Sequence, residues 1–159
     1  MKAAVLTVSD RVSAGSAQDG SGNALAELLA ADGYEVLRRV VADEPDHIEA
    51  ALEELTHDAD VVLTTGGTGV APRDITPEAT RRVISREMPG IAEALRRDSA
   101  ERTPHALLSR GVAGIANGAI VVNLPGSTGG CRDGYALLRG VLPHALELLA
   151  GRSAEHVQT

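Results

Sequence analysis

The chain has 159 residues, enough for one ordinary domain, and at that length folding hides roughly 70% of the surface the unfolded chain exposes, with no need of disulfides. Its formal charge of −7 and its two Tyr, with no Phe and no Trp, argue against duplex nucleic acid, anionic membrane and stacking on single strands as main modes of binding. Of the 15 Lys and Arg residues only Lys2 is a lysine, which removes a P-loop lysine and an interior Schiff-base lysine.

In chain order, Lys2–Ser9 is a short apolar, β-branched run and reads as a buried strand. Asp10–Gly22 is polar and Gly/Ser-rich, hence a loop. Asn23–Ala31 is helical with Gly33 as its stop. Tyr34–Val41 reads as a second strand, near an edge because of Arg38 and Arg39. Pro45–Thr56 carries a helical stripe of Ile48, Ala51, Leu52 and Leu55. Asp60–Thr65 is the third strand and runs straight into Gly66-Gly67-Thr68-Gly69. Thr76-Pro77 opens a helix, with Thr as N-cap and Pro at the first helical position. Glu87–Gly90 interrupts it, and a further helix covers about Ile91–Ser99. Gly111–Ala116 and Ala119–Asn123 flank Asn117-Gly118, a two-residue hairpin signal. Leu124–Gly130 is a loop, and Arg132–Ala150 is a closing helix containing Pro143. The last nine residues, 151–159, read as a frayed tail.

Strands alternating with amphipathic helices indicate an α/β fold: a three-layer sandwich with a mostly parallel sheet, helices on both faces and a small β-hairpin. The single cysteine, Cys131, and the five His offer neither a disulfide framework nor zinc-type spacing. Cys131 reads as a small buried apolar residue. No apolar run approaches the roughly 18 residues of a membrane span, and no cleavable signal is evident, so the expected location is the cytoplasm.

Open α/β sheets bind ligands at the carboxyl ends of their strands. Four loops fall there: Ser9-Asp10-Arg11, Ala42-Asp43-Glu44, Gly66–Gly69 running on to Asp74, and Leu124-Pro125-Gly126-Ser127. Glycines at Gly66–Gly69 let backbone N–H groups approach a phosphate, and a following helix start adds partial positive charge. The same residues also suit a tight turn that serves nothing but the chain reversal. Asp43 and Asp74 read either as acids near helix N-termini or as Mg²⁺ ligands, since magnesium takes one or two carboxylates plus substrate phosphate oxygens. Asp10 and Arg11 also read as an exposed pair. Arg132, near the start of the last helix where the dipole disfavours a cation, is a candidate for meeting an anion.

Eight segments in order resemble the molybdenum-cofactor biosynthesis family, which includes bacterial molybdopterin adenylyltransferases, their close paralogues and the corresponding domain of gephyrin. They are Thr7–Arg11, Asp19–Gly22, Val41–Glu44, Thr64–Gly69, Arg73–Thr80, Arg86–Gly90, Leu108–Arg110 and Asn123–Ser127. The resemblance implies a three-layer α/β fold, a homotrimer, and activation of molybdopterin by ATP and Mg²⁺. By that likeness Asp43 and Asp74 are the functional acids and metal ligands. Ser9, Thr65, Gly66, Gly67, Thr68 and Gly69 belong to the nucleotide and phosphate region. Asp10, Arg11, Pro125, Gly126 and Ser127 belong to the substrate region. The chain departs from the family pattern at one point: a lysine two residues after the position of Ser127 is absent, and Arg132 is the candidate to supply its charge. A downstream molybdenum-insertion protein is a further implied partner.

The expected reaction is attack by the terminal phosphate of molybdopterin on the α-phosphorus of ATP. That phosphate, with a second pKa near 6, is largely dianionic at neutral pH, so no side-chain base is required and Asp43 and Asp74 are expected to bind metal and position substrate. The rival reading is a non-catalytic molybdopterin- or nucleotide-binding paralogue using the same pocket. A dehydrogenase is disfavoured because the G-x-G-x-x-G spacing is missing.

Overall fold

The computed structural model describes residues 1–151; the tail expected to fray lies, from residue 152 on, outside the described residues. The strands are β1 (Lys2–Val8), β2 (Glu35–Val41), β3 (Val61–Thr65), β4 (Arg86–Glu87), β5 (Ala113–Ala116) and β6 (Ala119–Leu124). The helices are α1 (Asp10–Ser13), α2 (Gly20–Ala31), α3 (Pro45–Asp58), α4 (Thr76–Val83), α5 (Pro89–Ala100), α6 (Thr128–Leu138) and α7 (Leu142–Leu149), with a 3₁₀ turn at Pro104–Leu108.

One six-stranded sheet runs in the order β2-β1-β3-β6-β5-β4. β2, β1, β3 and β6 are mutually parallel, while β5 pairs antiparallel with β6 and with β4. Alternation along the strands splits the core in two, as a pleated sheet covered on both faces requires. Ala3, Val5, Val61, Leu63, Ile120 and Val122 point to the face covered by α2, α6 and α7, where they meet Leu25, Leu29, Tyr135, Leu138, Leu142 and Leu146. Ala4, Leu6, Val8, Val62 and Val121 point to the other, against Ile48, Leu52 and Leu55 of α3 and Ala79 of α4. The three-layer α/β sandwich expected from the alternation is the one observed, β2 is an edge strand as its arginines suggested, and Asn117-Gly118 closes the hairpin β5–β6. Among the described residues no helix is long and apolar enough to cross a membrane.

Several local expectations are corrected. The stretch Asp10–Gly22 is not all loop. Ser9 caps α1 by accepting from the Val12 N–H at 3.2 Å, and α2 starts at Gly20 because Asp19 accepts from the Gly22 N–H at 3.0 Å. Thr76 is not an N-cap; the helix is capped at Ile75, without a side-chain bond, because the Thr76 hydroxyl is spent on the Gly66 carbonyl at 2.9 Å. Within Glu87–Gly90, the interruption includes the end of the short strand β4 (Arg86–Glu87) and the start of α5 at Pro89. The closing helix is two helices: α6 ends at Leu138, and Pro143 lies in the first turn of α7. A proline inside a continuous helix lacks its N–H and clashes with the preceding turn, so the chain breaks at Arg139–Val141.

Because β1 is flanked by β2 on one side and β3 on the other, the chain reverses its winding between β1 and β3. That switch point opens a crevice at the carboxyl ends of the strands. All four loops singled out from the sequence emerge on this rim.

Candidate functional site

The Gly66–Gly69 turn sits at the centre of the rim. Gly66 and Gly67 both have positive φ, 99° and 67°, a conformation that costs glycine nothing and other residues a good deal. A side chain at Gly66 would collide with the Val8 carbonyl, and one at Gly67 would meet Thr76 Oγ1 and come within 3.3 Å of Asp43 Oδ1. The turn's backbone is pressed against β1 and lies close to the side chains of both Asp43 and Asp74. Thr76 braces it from below, donating its hydroxyl to the Gly66 carbonyl and its N–H to the Gly67 carbonyl at 3.0 Å.

Asp43 is half-buried and each of its oxygens has a distinct setting. Oδ2 accepts from the Asp10 N–H at 2.8 Å, while Oδ1 faces Gly67 and accepts no hydrogen bond among the described residues. Burial pushes the Asp43 carboxyl above its ordinary range, offset in part by the Asp10 backbone bond and raised further by the negative charges of Asp10 and Asp74. Asp74 is built in the same way. Its Oδ2 accepts from the Ala71 N–H at 2.9 Å and lies 2.8 Å from where a Cβ on Gly69 would stand, leaving Oδ1 unused.

The donor set fits a magnesium ion held partly by its ligands. Asp43 and Asp74 both line the first cavity, the Oδ1 of each accepts no hydrogen bond among the described residues, and the penalty that burial places on Asp43 is one a cation would reverse. Among the described residues no three His, Cys, Asp or Glu side chains gather into a cage, so such an ion would complete its octahedron with water and substrate oxygens, as magnesium commonly does.

Two cavities open on this rim. The first, of about 560 Å³, is lined by Ser9, Arg11, Asp43, Thr65, Gly66 and the amino-terminal residues of α2 and α6. Two helix N-termini offer free N–H groups and partial positive charge to it, the ordinary cradle for phosphate. The second, of about 610 Å³, runs beneath α5 and the 3₁₀ turn and is walled by Thr68, Gly69, Leu95, Arg96, Arg102, His105, Leu108 and Pro125. Both volumes suit a small ligand. They share Gly67, Asp74, Gly126 and Ser127 as a common wall.

Of the residues expected from the sequence, Asp43, Asp74, Ser9, Arg11, Thr65, Gly66, Gly67, Thr68, Gly69, Pro125, Gly126 and Ser127 line one or both cavities. Asp10 and Arg132 line neither. Asp10 is occupied by Arg73, whose Nε donates to Oδ2 at 2.6 Å and Nη2 to Oδ1 at 3.0 Å. That pairing holds the Asp10 carboxyl below its ordinary range. Arg132 is exposed on α6, and its neighbour Asp133 faces the second cavity instead. Cys131 is fully buried, its Sγ 3.3 Å from Thr65 Oγ1, and burial pushes the thiol up to about 11.

Sequence reasoning missed the α5 side of the second cavity's wall. Arg96 and Arg102 belong to α5 and the residues just after it, a stretch with no motif, and only the packing of α5 on the 3₁₀ turn brings them to the rim. It also gave no role to Thr76 as a brace.

A doubly wound α/β sheet with a glycine turn, two helix N-termini and two half-free acids at its switch point is an arrangement suited to phosphorylated small molecules. The family model described as "Probable molybdopterin binding domain" matches residues 4–144, and the chain belongs to that family. It is 41% identical over 152 residues to the molybdopterin adenylyltransferase of Helicobacter pylori, covering 92% of this chain and 86% of that one. The molybdopterin biosynthesis enzyme MoaB of Thermus thermophilus superposes with a TM-score of 0.87 at 45% identity, covering 94% of this chain and 96% of that one. The molybdopterin biosynthesis Mog protein of Mycobacterium ulcerans does so with a TM-score of 0.89 at 39% identity, covering 93% and 98%.

Proposed function

We propose that this protein acts in molybdenum-cofactor biosynthesis as a molybdopterin adenylyltransferase, using ATP and Mg²⁺. The observation that carries the reading is the common wall. Two ligand-sized cavities meet over Gly67, Asp74, Gly126 and Ser127, the place where the reacting ends of two substrates must be brought together.

The terminal phosphate oxygen of molybdopterin bonds to the α-phosphorus of ATP. The bond from that phosphorus to the α–β bridging oxygen breaks, and pyrophosphate leaves with the electron pair. The nucleophile is already ionised, so neither Asp43 nor Asp74 has to take a proton. The difficulty is charge, because two anions meet in a protein of formal charge −7. The amino-terminal N–H groups of α2 and α6 and the backbone of the Gly66–Gly67 turn stabilise phosphate oxygens at fixed positions. Arg11 adds a positive side chain to the first cavity and Arg96 one to the second, where the charge of Arg102 is offset by its pairs with Asp98 and Asp133. Asp43 Oδ1 and Asp74 Oδ1 would hold Mg²⁺, which neutralises charge on the transferring phosphoryl group. The molybdopterin-side roles of Asp10 and Arg132 implied by the family likeness would need these side chains to act from outside both cavities.

The likeness also carries a homotrimer, a cytoplasmic location and a downstream molybdenum-insertion protein. Exposed Leu107, Leu108, Val141 and Leu148 are compatible with surfaces of assembly.

The test is an omission series. Pyrophosphate release should require molybdopterin, ATP and Mg²⁺ together and should vanish in Asp74→Ala. Binding of molybdopterin or ATP without any pyrophosphate release would establish the non-catalytic paralogue in its place.

A further inference from the structure

Asp74 stands on a loop, and a loop residue holds a reacting group in place only if something holds the loop. The segment from Gly69 to Asp74 is mostly exposed. Its internal bonds close on Asp74 itself: the Ala71 N–H donates to Asp74 Oδ2 and the Asp74 N–H donates to the Ala71 carbonyl, both at 2.9 Å. These bonds shape the turn without fixing it to the sheet.

Arg73 ties the loop through exposed ion pairs to Asp10 and Glu44 on one side, and Arg110 fixes the loop backbone from the other. Its Nε donates to the Gly69 carbonyl at 2.7 Å and its Nη2 to the Asp74 carbonyl at 2.5 Å. Its own N–H donates to the Thr68 carbonyl at 2.8 Å, and Nη1 pairs with Glu78 of α4. One planar guanidinium thus grips both ends of the loop and ties them to the helix that follows. Arg110 lines neither ligand cavity, so its contacts point to an action through Asp74.

We propose that Arg110 is a positioning residue that sets the Asp74 carboxylate against the Gly66–Gly69 turn by clamping the Gly69 and Asp74 carbonyls. The proposal rests on the adenylyl-transfer reading for its effect on turnover, but the clamp itself is independent of that reading. A lysine cannot replace it, because a single ammonium group on a flexible stem does not span two carbonyls in the way the rigid fork does. Misplacing a reacting group by about 1 Å costs on the order of 10²-fold in rate.

The experiment compares wild type, Arg110→Ala, Arg110→Lys and Glu78→Gln by amide hydrogen exchange and by steady-state turnover. In Arg110→Ala, exchange at the Ala71 and Asp74 amides should quicken about tenfold or more while β1, β3 and β6 keep their protection. Arg110→Lys should fall between, and carries the test if the alanine variant does not fold. Turnover should show kcat down by about 10²-fold with KM for ATP changed by less than about threefold. Glu78→Gln, which leaves both carbonyl bonds in place, should keep wild-type turnover. Unchanged exchange at Ala71 and Asp74 in the Arg110 variants would overturn the proposal, as would equal losses in Glu78→Gln and Arg110→Ala. If wild type releases no pyrophosphate, the adenylyl-transfer reading falls, and the exchange measurement still decides whether Arg110 holds Asp74.

Discussion

Asp10 and Asp43 exchange hydrogen bonds across the rim: the Asp10 N–H donates to Asp43 Oδ2 at 2.8 Å, and the Asp43 N–H donates to Asp10 Oδ1 at 3.0 Å. The reciprocal pair staples the loop after β1 to the loop after β2. It fixes the Asp43 side chain with one oxygen spent and the other directed at Gly67. Structure and chemistry can therefore be separated at this residue. An asparagine keeps a carbonyl oxygen for the Asp10 N–H and loses the charge. Asp43→Asn should unfold at a temperature within a few degrees of wild type, because a conserved hydrogen bond leaves little stability to lose. It should also lose at least about 10²-fold in kcat, the loss typical of removing one electrostatic stabiliser. Thermal unfolding and pyrophosphate release on the same preparation check both halves.

The raised pKa of Asp43, caused first by burial, makes cation binding pH-dependent with a definite sign. In the folded protein its carboxyl ionises above the ordinary 3.8, so its favourable contribution to stability is complete below 3.8 and is lost as pH rises through the raised value. A divalent cation favours the ionised form and pulls the pKa back down. Titration with Mg²⁺ just above 3.8 should release protons, and the release should shrink toward neutral pH. Calorimetry in two buffers of different ionisation enthalpy measures it, and Asp43→Asn should abolish it. Asp10 has the opposite sign: its pairing with Arg73 contributes above 3.8 and is lost as pH falls through the lowered value.

Gly66→Ala should be costly although it removes no side-chain contact. The residue has φ 99°, and a Cβ there would strike the Val8 carbonyl. Strained φ costs of order 1–3 kcal/mol, and the collision adds to it. A loss of more than about 2 kcal/mol in denaturant unfolding is expected, with ATP binding weakened as the turn is pushed off β1.

Cys131 should be chemically inert in the folded state. It is fully buried and its thiol ionises only near 11, so the reactive thiolate is scarce at pH 8. Iodoacetamide should leave it unmodified until denaturant is added, which mass spectrometry reads directly.

Much of this architecture was legible in the chain because it depends on periodicity and on strong punctuators. Strands β1 and β3 are short, mostly apolar runs, α3 carries its stripe, and Asn117-Gly118 marks the hairpin. The four rim loops follow from the parallel order, and Asp43, Asp74 and Gly66–Gly69 followed with them. What escaped was set by tertiary contacts. The Thr76-Pro77 pair has the look of a cap and a first turn, yet the hydroxyl of Thr76 found a better acceptor in Gly66 ten residues upstream. Arg110 stood in a recognised segment, but its grip on Gly69, 41 residues away, has no signature in spacing. Asp10 and Arg11 are adjacent, yet the cation that pairs with Asp10 is Arg73, 63 residues away.

The central claim is that Asp43 and Asp74 jointly hold a divalent cation over the Gly66–Gly67 turn, where two anionic ligands meet. Crystals grown with Mn²⁺ and a non-hydrolysable ATP analogue would test it through the anomalous signal of manganese. The account predicts one strong peak bonded to Asp43 Oδ1, Asp74 Oδ1 and a phosphate oxygen of the analogue. Manganese bound only elsewhere, or analogue bound at full occupancy with neither aspartate touching metal, would contradict it.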